Sequence, residues 1–232
     1  MDMERRENLR DLEEALGYLF ETPDLLDQAL THKSYANERG SGIRDNERLE
    51  FLGDAVLDLV VSHLLYDLRP PLTEGKMSKV RAFLVSEPSL AEVARSFGLG
   101  RYLLLGKGEE QTGGREKPSI LSGAFEALVA AIYLDGGFDL AREFVDAVFR
   151  PLLEAEGPGG LDRDFKTRLQ EHCQGRYGTA PTYRLVGEWG PDHDKTFEVE
   201  IRLGNRVLGR GRGRSKKEAE QRAAQGALDV LE

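Results

Sequence analysis

A single cysteine, Cys173, stands among 232 residues. An intramolecular disulfide is therefore excluded, and a reducing, cytoplasmic setting is expected. Four scattered histidines beside one cysteine leave no basis for a structural zinc site. No apolar run reads as long enough to span a membrane. The opening MDMERRENLRDLEE is charged and lacks the apolar segment of a secretion signal. The glycine-rich GKGEEQTGGREKP (106–118) lacks the spacing and the Ser/Thr of a phosphate-binding P-loop and is read as a connector. Before residue 160 no strand pattern is evident.

What is present divides in two. Net charge is −9, but residues 161–232 carry 14 basic and 12 acidic residues, which leaves 18 basic and 29 acidic residues for 1–160. An acidic body joined to a mildly basic tail suggests two units with different work. EAEGPGGLD holds Gly157, Pro158, Gly159 and Gly160, a composition that argues against helix and for a flexible joint. The expected boundaries are 1–153, a linker at 154–161, and 162–232. Helical periodicity dominates the first unit, in NLRDLEEALGYLF, TPDLLDQALTH, NERLEFLGDAVLDLVVSHLLYDL and SEPSLAEVARSFGLG. It continues in SILSGAFEALVAAIYLDGG, ended by Gly136-Gly137, and in LAREFVDAVFRPLLEA. The second unit reads as helix, three strands, helix. KTFEVEIRLGN alternates, with Phe197, Val199 and Ile201 on one face, and all three strands lie between the helices, so an antiparallel sheet is expected.

The helix beginning NERLEFLGDAVLDLV carries an acidic stripe. At about 100° per residue, Glu50, Asp54 and Asp58 fall within about 60° of Glu47. Leu49, Leu52, Val56, Leu57, Leu59 and Val60 fill the opposite arc. Like charges at this spacing repel, and Gly53 mid-helix costs about 1 kcal/mol against alanine. A hard divalent cation would answer the repulsion, because Mg²⁺ takes oxygen ligands and keeps waters. Glu126 is the best further ligand: it is the only acid in SILSGAFEALVAAIY, beside Gly123, Ala127 and Ala130. Phe51 falls among the acids and not in the core arc, which suits a contact across a subunit interface. His32 and His63 read as structural, hydrogen-bonded residues. A carboxylate-bridged di-iron protein would need Glu-x-x-His pairs that are lacking. In the tail, RVLGRGRGR reads as the third strand, and RGRGRSKK (210–217) has five basic residues in eight; a solvated basic loop is the bland reading, but Lys216 and Lys217 open a helix whose dipole also attracts phosphate.

NERLEFLGDAVL resembles the signature of ribonuclease III, and ALTHKSYANE, EGKMSKVRA, LGKGEEQTGG and EALVAAIYLDGG follow in that family's order. GPDHDKTFEVE with GRSKKEAEQRAA resembles a double-stranded-RNA-binding domain. The resemblance implies an all-α endonuclease domain followed by a small α-β-β-β-α domain, working as a homodimer on double-stranded RNA. It implies Mg²⁺-dependent hydrolysis (Mn²⁺ substituting) that leaves 5′-phosphate and 3′-hydroxyl ends with short 3′ overhangs, in the processing of ribosomal-RNA precursors and structured messages. No small-molecule cofactor is implied. Carried over residue by residue, Glu50, Asp54 and Glu126 are the metal-binding acids, with Asp54 and Glu126 catalytic. Glu47 and Glu74 are further acids of the catalytic valley, and Phe51 plugs into the partner subunit. Thr167, Gln170, Glu171 and His193 make minor-groove contacts, and Lys216 and Lys217 contact phosphates. One departure stands out: the family usually has Asp or a similar residue where this chain has Gly123. Water, or Asp58, would then fill the vacancy, and Gly123→Asp is expected to lower the Mg²⁺ concentration needed for cleavage. The alternative is a double-stranded-RNA-binding protein with catalysis impaired at Gly123.

Overall fold

Two units make up the chain, Met1–Leu161 and Asp162–Glu232. The computed structural model describes residues 3–40, 42–68, 70–160, 165–191 and 195–231, and of 155–160 the backbone alone.

The first unit is built of α1 (Met3–Leu16), α2 (Pro23–Ala29), α3 (Lys33–Arg39), α4 (Glu47–Tyr66), α5 (Glu74–Leu84), α6 (Glu87–Ser96), α7 (Lys107–Gln111) and α8 (Pro118–Gly160). Among the described residues its only β-type pairing is an isolated bridge between Thr31 and Leu104. α8 is the central element. From Ala124 to Ile132 every residue but Glu126 is fully buried, as expected of a helix that is apolar nearly all round. The segment Pro118–Glu154 does have the length and hydropathy of a membrane span, contrary to the sequence reading, but 67% of its apolar 18-residue window is buried inside the fold. Its apolar surface is used in the core. α4, α6 and α2 pack on it.

Three expectations are corrected. α8 does not end at Gly136-Gly137; its backbone continues to Gly160, through the stretch read as a joint. Gly137 takes φ +84°, a local irregularity, while buried Ile132, Ala141 and Val145 on both sides hold the chain against the core. Tertiary packing there outweighs glycine's low propensity. Leu59, assigned to the core arc, is 58% exposed. α3 and α5 were not legible as helices; each starts at a side-chain cap, His32 accepting from the Ser34 N–H and Thr73 from the Lys76 N–H.

The second unit is α9 (Phe165–Tyr177), β1 (Thr182–Trp189), β2 (Thr196–Leu203), β3 (Arg206–Gly213) and α10 (Lys216–Leu231), the strands antiparallel in the order β1-β2-β3. Tyr183 lies opposite Ile201, and Ile201 opposite Gly209. Leu169, Cys173, Ile201, Leu208 and the alanines of α10 form its core. β3 carries glycine at alternate positions for a reason of space. A Cβ at Gly211 would lie 2.2 Å from the Ala223 backbone nitrogen and 2.5 Å from the Ala219 carbonyl oxygen. Ala219, Ala223 and Ala227 thus rest α10 directly on the strand. Gly211→Ala is expected to destabilise this unit by about 2–3 kcal/mol, seen as an earlier unfolding transition in a denaturant titration of the full chain.

RGRGRSKK spans the end of β3, the third strand expected here, then a bend at 214–215 and the first residues of α10. Arg210 pairs with Glu200 at 2.6 Å and Arg212 with Glu198 at 2.9 Å across the β2–β3 ladder. Glu200 also receives Arg202 at 2.6 Å, and the two guanidiniums hold its carboxyl below the usual range.

Candidate active site and nucleic-acid interface

α4 starts where three segments meet. Asn46 is buried; its N–H donates to the Thr31 carbonyl at 2.9 Å and its Nδ2 to the Ala29 carbonyl at 3.2 Å. That fixes the first turn of α4, which carries Glu47 and Glu50, against the end of α2. One turn on, Gly53 faces α8. A Cβ there would stand 1.8 Å from the Glu126 carbonyl oxygen and 2.4 Å from its carbon. The two backbones touch, and the glycine that looked costly within its own helix is what brings Asp54 and Glu126 into one place.

The result is a cavity of about 750 Å³ lined by Glu47, Glu50, Phe51, Asp54, Gly123 and Glu126, with Lys33, Glu109, Lys117 and His32 also on its wall. Burial, then the charges of Glu50 and Asp54, push the Glu126 carboxyl up to about 7. Burial and the charge of Glu47 also raise Glu50, while Lys33 works against the shift. Two half-buried acids are thus held where their ionised forms are unfavourable, which is the electrostatic condition for cation binding. As the side chains stand, the described residues include no group of three acids, histidines or cysteines closed enough to cage an ion. The donor set still fits Mg²⁺, which takes one or two carboxylates, keeps waters and leaves positions for substrate phosphate.

Gly123 lies in this cavity, and a Cβ on it would meet Glu50 Oε2 at 2.7 Å. The Glu50 side chain occupies the space that another residue would need. Gly123→Asp is therefore expected to exchange one acid for another, with Glu50 swinging aside, and the gain foreseen from sequence shrinks accordingly.

The other acids lie elsewhere. Asp58 is 3.9 Å from Arg81 and does not line the cavity. Glu74 accepts from Ser78 Oγ at 3.0 Å and lines a separate, mainly apolar depression with Leu59, Tyr66 and Met77. The depression also includes His63, 3.2 Å from Asp67. Phe51 is 82% exposed. In the second unit, Gln170 and Glu171 are exposed on α9 with Thr167 half-buried beside them, and Lys216 and Lys217 are exposed at the start of α10. Ser215 Oγ accepts from the Glu218 N–H there, and Glu218 Oε2 accepts from the Arg214 N–H, a reciprocal cap. His193 lies outside the described residues.

Residues 22–152 match the model of the family described as Ribonuclease-III-like, and residues 165–231 match the double-stranded RNA binding motif. The chain belongs to the ribonuclease III family. It is 51% identical to the Ribonuclease 3 of Desulforamulus reducens, over 97% of this chain and 92% of that protein. It is 50% identical to that of Geobacter metallireducens, over 96% and 92%. Among solved structures, a nuclease domain of ribonuclease III from Campylobacter jejuni superposes with a TM-score of 0.58 at 46% identity, covering 62% of this chain and 96% of that one. As a ribonuclease III, the chain is a double-stranded-RNA endoribonuclease of a metal-dependent family.

The sequence reading missed part of the cavity wall. Lys117 pairs with Glu109 and donates to Thr112 Oγ1 at 2.9 Å, and Lys33 Nζ meets Glu47 Oε1 at 2.9 Å. The connector 106–118 is in fact ordered, as α7 and a 3₁₀ turn (Gly114–Glu116). Arg115 donates to the carbonyls of Gly100 and Leu103 at 2.8 and 2.9 Å and forks onto both oxygens of Glu110. Lys117 and Arg115 find acids within the connector itself, but nothing in its composition signals the reach of Arg115 to the carbonyls of Gly100 and Leu103 or of Lys33 to Glu47.

Proposed function

We propose that this endoribonuclease uses Mg²⁺, with Mn²⁺ as a substitute, held by Glu50, Asp54 and Glu126. The cuts leave 5′-phosphate and 3′-hydroxyl ends with short 3′ overhangs, and the natural substrates are ribosomal-RNA precursors and structured messages in the cytoplasm. The observation that carries the reading is the convergence of those three acids from α4 and α8 in one cavity, with Glu126 raised to about 7 by burial and by its two neighbours. The cation supplies charge compensation for the phosphodiester and a more acidic water. The protein's part is to hold the carboxylates together and aimed, where a cation would favour their ionised forms. Helix-to-helix contact at Gly53 fixes Asp54 against Glu126, and Lys33 steadies Glu47 at the rim.

A homodimer is part of the proposal. Exposed Phe51, Leu59 and Tyr66 on α4 leave an apolar stripe that a second copy would cover, and the C. jejuni structure concerns a region involved in dimer formation in that protein. The experiment is cleavage of a long RNA duplex across a magnesium titration, with a manganese arm and chemical analysis of the product ends. Intact duplex at saturating metal, or ends of the opposite polarity, would refute the proposal.

The α9 face with Thr167, Gln170 and Glu171, and the lysines opening α10, are proposed to grip the duplex through shape and backbone. Arg210 and Arg212 are committed to Glu200 and Glu198, so Lys216 and Lys217 carry the phosphate contacts. Lys217→Ala is expected to weaken binding to all duplexes alike and to reduce the salt slope by about one unit. A filter-binding series over salt concentration checks it, and a loss confined to certain sequences would contradict it.

A further inference from the structure

His32 lines the same cavity as Glu50, Asp54 and Glu126, and its surroundings define which of its nitrogens carries a proton. The Ser34 hydroxyl accepts from the Gly106 N–H at 2.8 Å. Its own proton is therefore free to go to His32 Nδ1, 2.8 Å away. Nδ1 also accepts from the Ser34 N–H at 3.3 Å. With Nδ1 an acceptor twice over, the neutral ring carries its hydrogen on Nε2. Burial lowers the ring's pKa, against the opposing charge of Glu109, so the neutral form is the resting one. The backbone is held as well, because the His32 N–H donates to the Leu104 carbonyl at 3.0 Å and Leu104 returns a bond to Leu30 at 2.8 Å. Among the described residues nothing hydrogen-bonds to Nε2. The chain has fixed every side of this imidazole except one N–H, in the cavity where the substrate backbone is to be received.

We propose that His32 is a substrate contact, its Nε2–H donating to a non-bridging phosphate oxygen of the strand being cut. The cavity holds Glu47, Glu50, Asp54 and Glu126, and a phosphodiester entering it meets repulsion. A neutral donor of fixed direction is well suited to this place: it attracts a phosphate oxygen without competing with the cation for the carboxylates. Lys33 and Lys117, on the same wall but engaged with Glu47 and Glu109, provide positive potential without that directional certainty. Ser34 is a positioning residue, acting through the ring.

The inference rests on the endonuclease reading, so the test keeps the two apart. Wild-type cleavage and its loss in Glu126→Gln report on the endonuclease. His32→Ala and His32→Gln report on the contact, since a glutamine amide can both accept from Ser34 and donate to the cavity. His32→Ala is expected to lower kcat/KM at least ten-fold, and His32→Gln to recover most of it at an unchanged melting temperature. Duplexes carrying a single Rp or Sp phosphorothioate at the scissile phosphate or at either neighbour add the decisive readout. One such substitution slows the wild type and has no further effect on His32→Ala. Equal thio effects in both proteins would overturn the proposal, as would wild-type kinetics in His32→Ala. A deficit in His32→Ala that tracks 2′-deoxy substitution, and not sulfur, would overturn it too.

Discussion

Glu126→Gln is expected to bind a long RNA duplex as the parent does and to leave it uncut. A lost cation removes several kcal/mol of charge stabilisation, and about 1.4 kcal/mol is a factor of ten. The fall in rate is therefore roughly a thousand-fold or more. Residual cleavage within ten-fold of wild type at the same magnesium would show that this carboxylate holds no essential ion. The same variant has an opposite effect on stability. In the folded protein the Glu126 carboxyl is raised to about 7, first by burial and then by Glu50 and Asp54. In the unfolded chain it titrates at its ordinary value. Between the two the folded state retains a proton that the unfolded state has released. Stability from this group is full below the unfolded value and is lost as pH rises through about 7. Without metal, Glu126→Gln should therefore melt above wild type at pH 8, by a few degrees at about 2–4 °C per kcal/mol, and the two should converge in acid. An equal melting temperature at pH 8 would count against the buried, crowded state of this acid.

The second large effect belongs to Gly53→Ala. Alanine is the better helix former by about 1 kcal/mol, and on an isolated α4 the change would stabilise. In the fold the added Cβ lands 1.8 Å from the Glu126 carbonyl oxygen. That atom is backbone in the middle of α8 and cannot turn aside, so α4 and α8 must separate. The overpacking cost of about 1–3 kcal/mol is a lower guide where backbone meets backbone, and a net loss of about 3 kcal/mol is expected by urea denaturation. Cleavage falls with it, since Asp54 moves with Gly53. A Gly53→Ala protein more stable than the parent would mean that the helices do not approach as closely as described.

Most of the acidic site was legible because it obeys helix geometry. Glu47, Glu50 and Asp54 share an edge of one helix, and Glu126 stands out as the lone acid of the apolar stretch SILSGAFEALVAAIY. Gly53 was noticed as a cost, but its partner, a carbonyl seventy-odd residues away in sequence, has no signature in α4. The same limit hid His32. Its fixed tautomer depends on Ser34 and on the backbone of Gly106, joined through the Thr31–Leu104 bridge, and no periodicity reports such a contact. In the tail, alternation identified the strands. What the pattern could not show is that the arginines of the basic run fall opposite Glu198 and Glu200, because register is a property of the sheet.

The Arg115 clamp has a consequence for the wear of the molecule. A stretch as rich in glycine as 106–118 would ordinarily be the first place a protease nicks. Here one guanidinium ties the backbone at Gly100 and Leu103 to the carboxylate of Glu110. A digesting enzyme would find little slack chain to draw into its cleft, even at this basic residue.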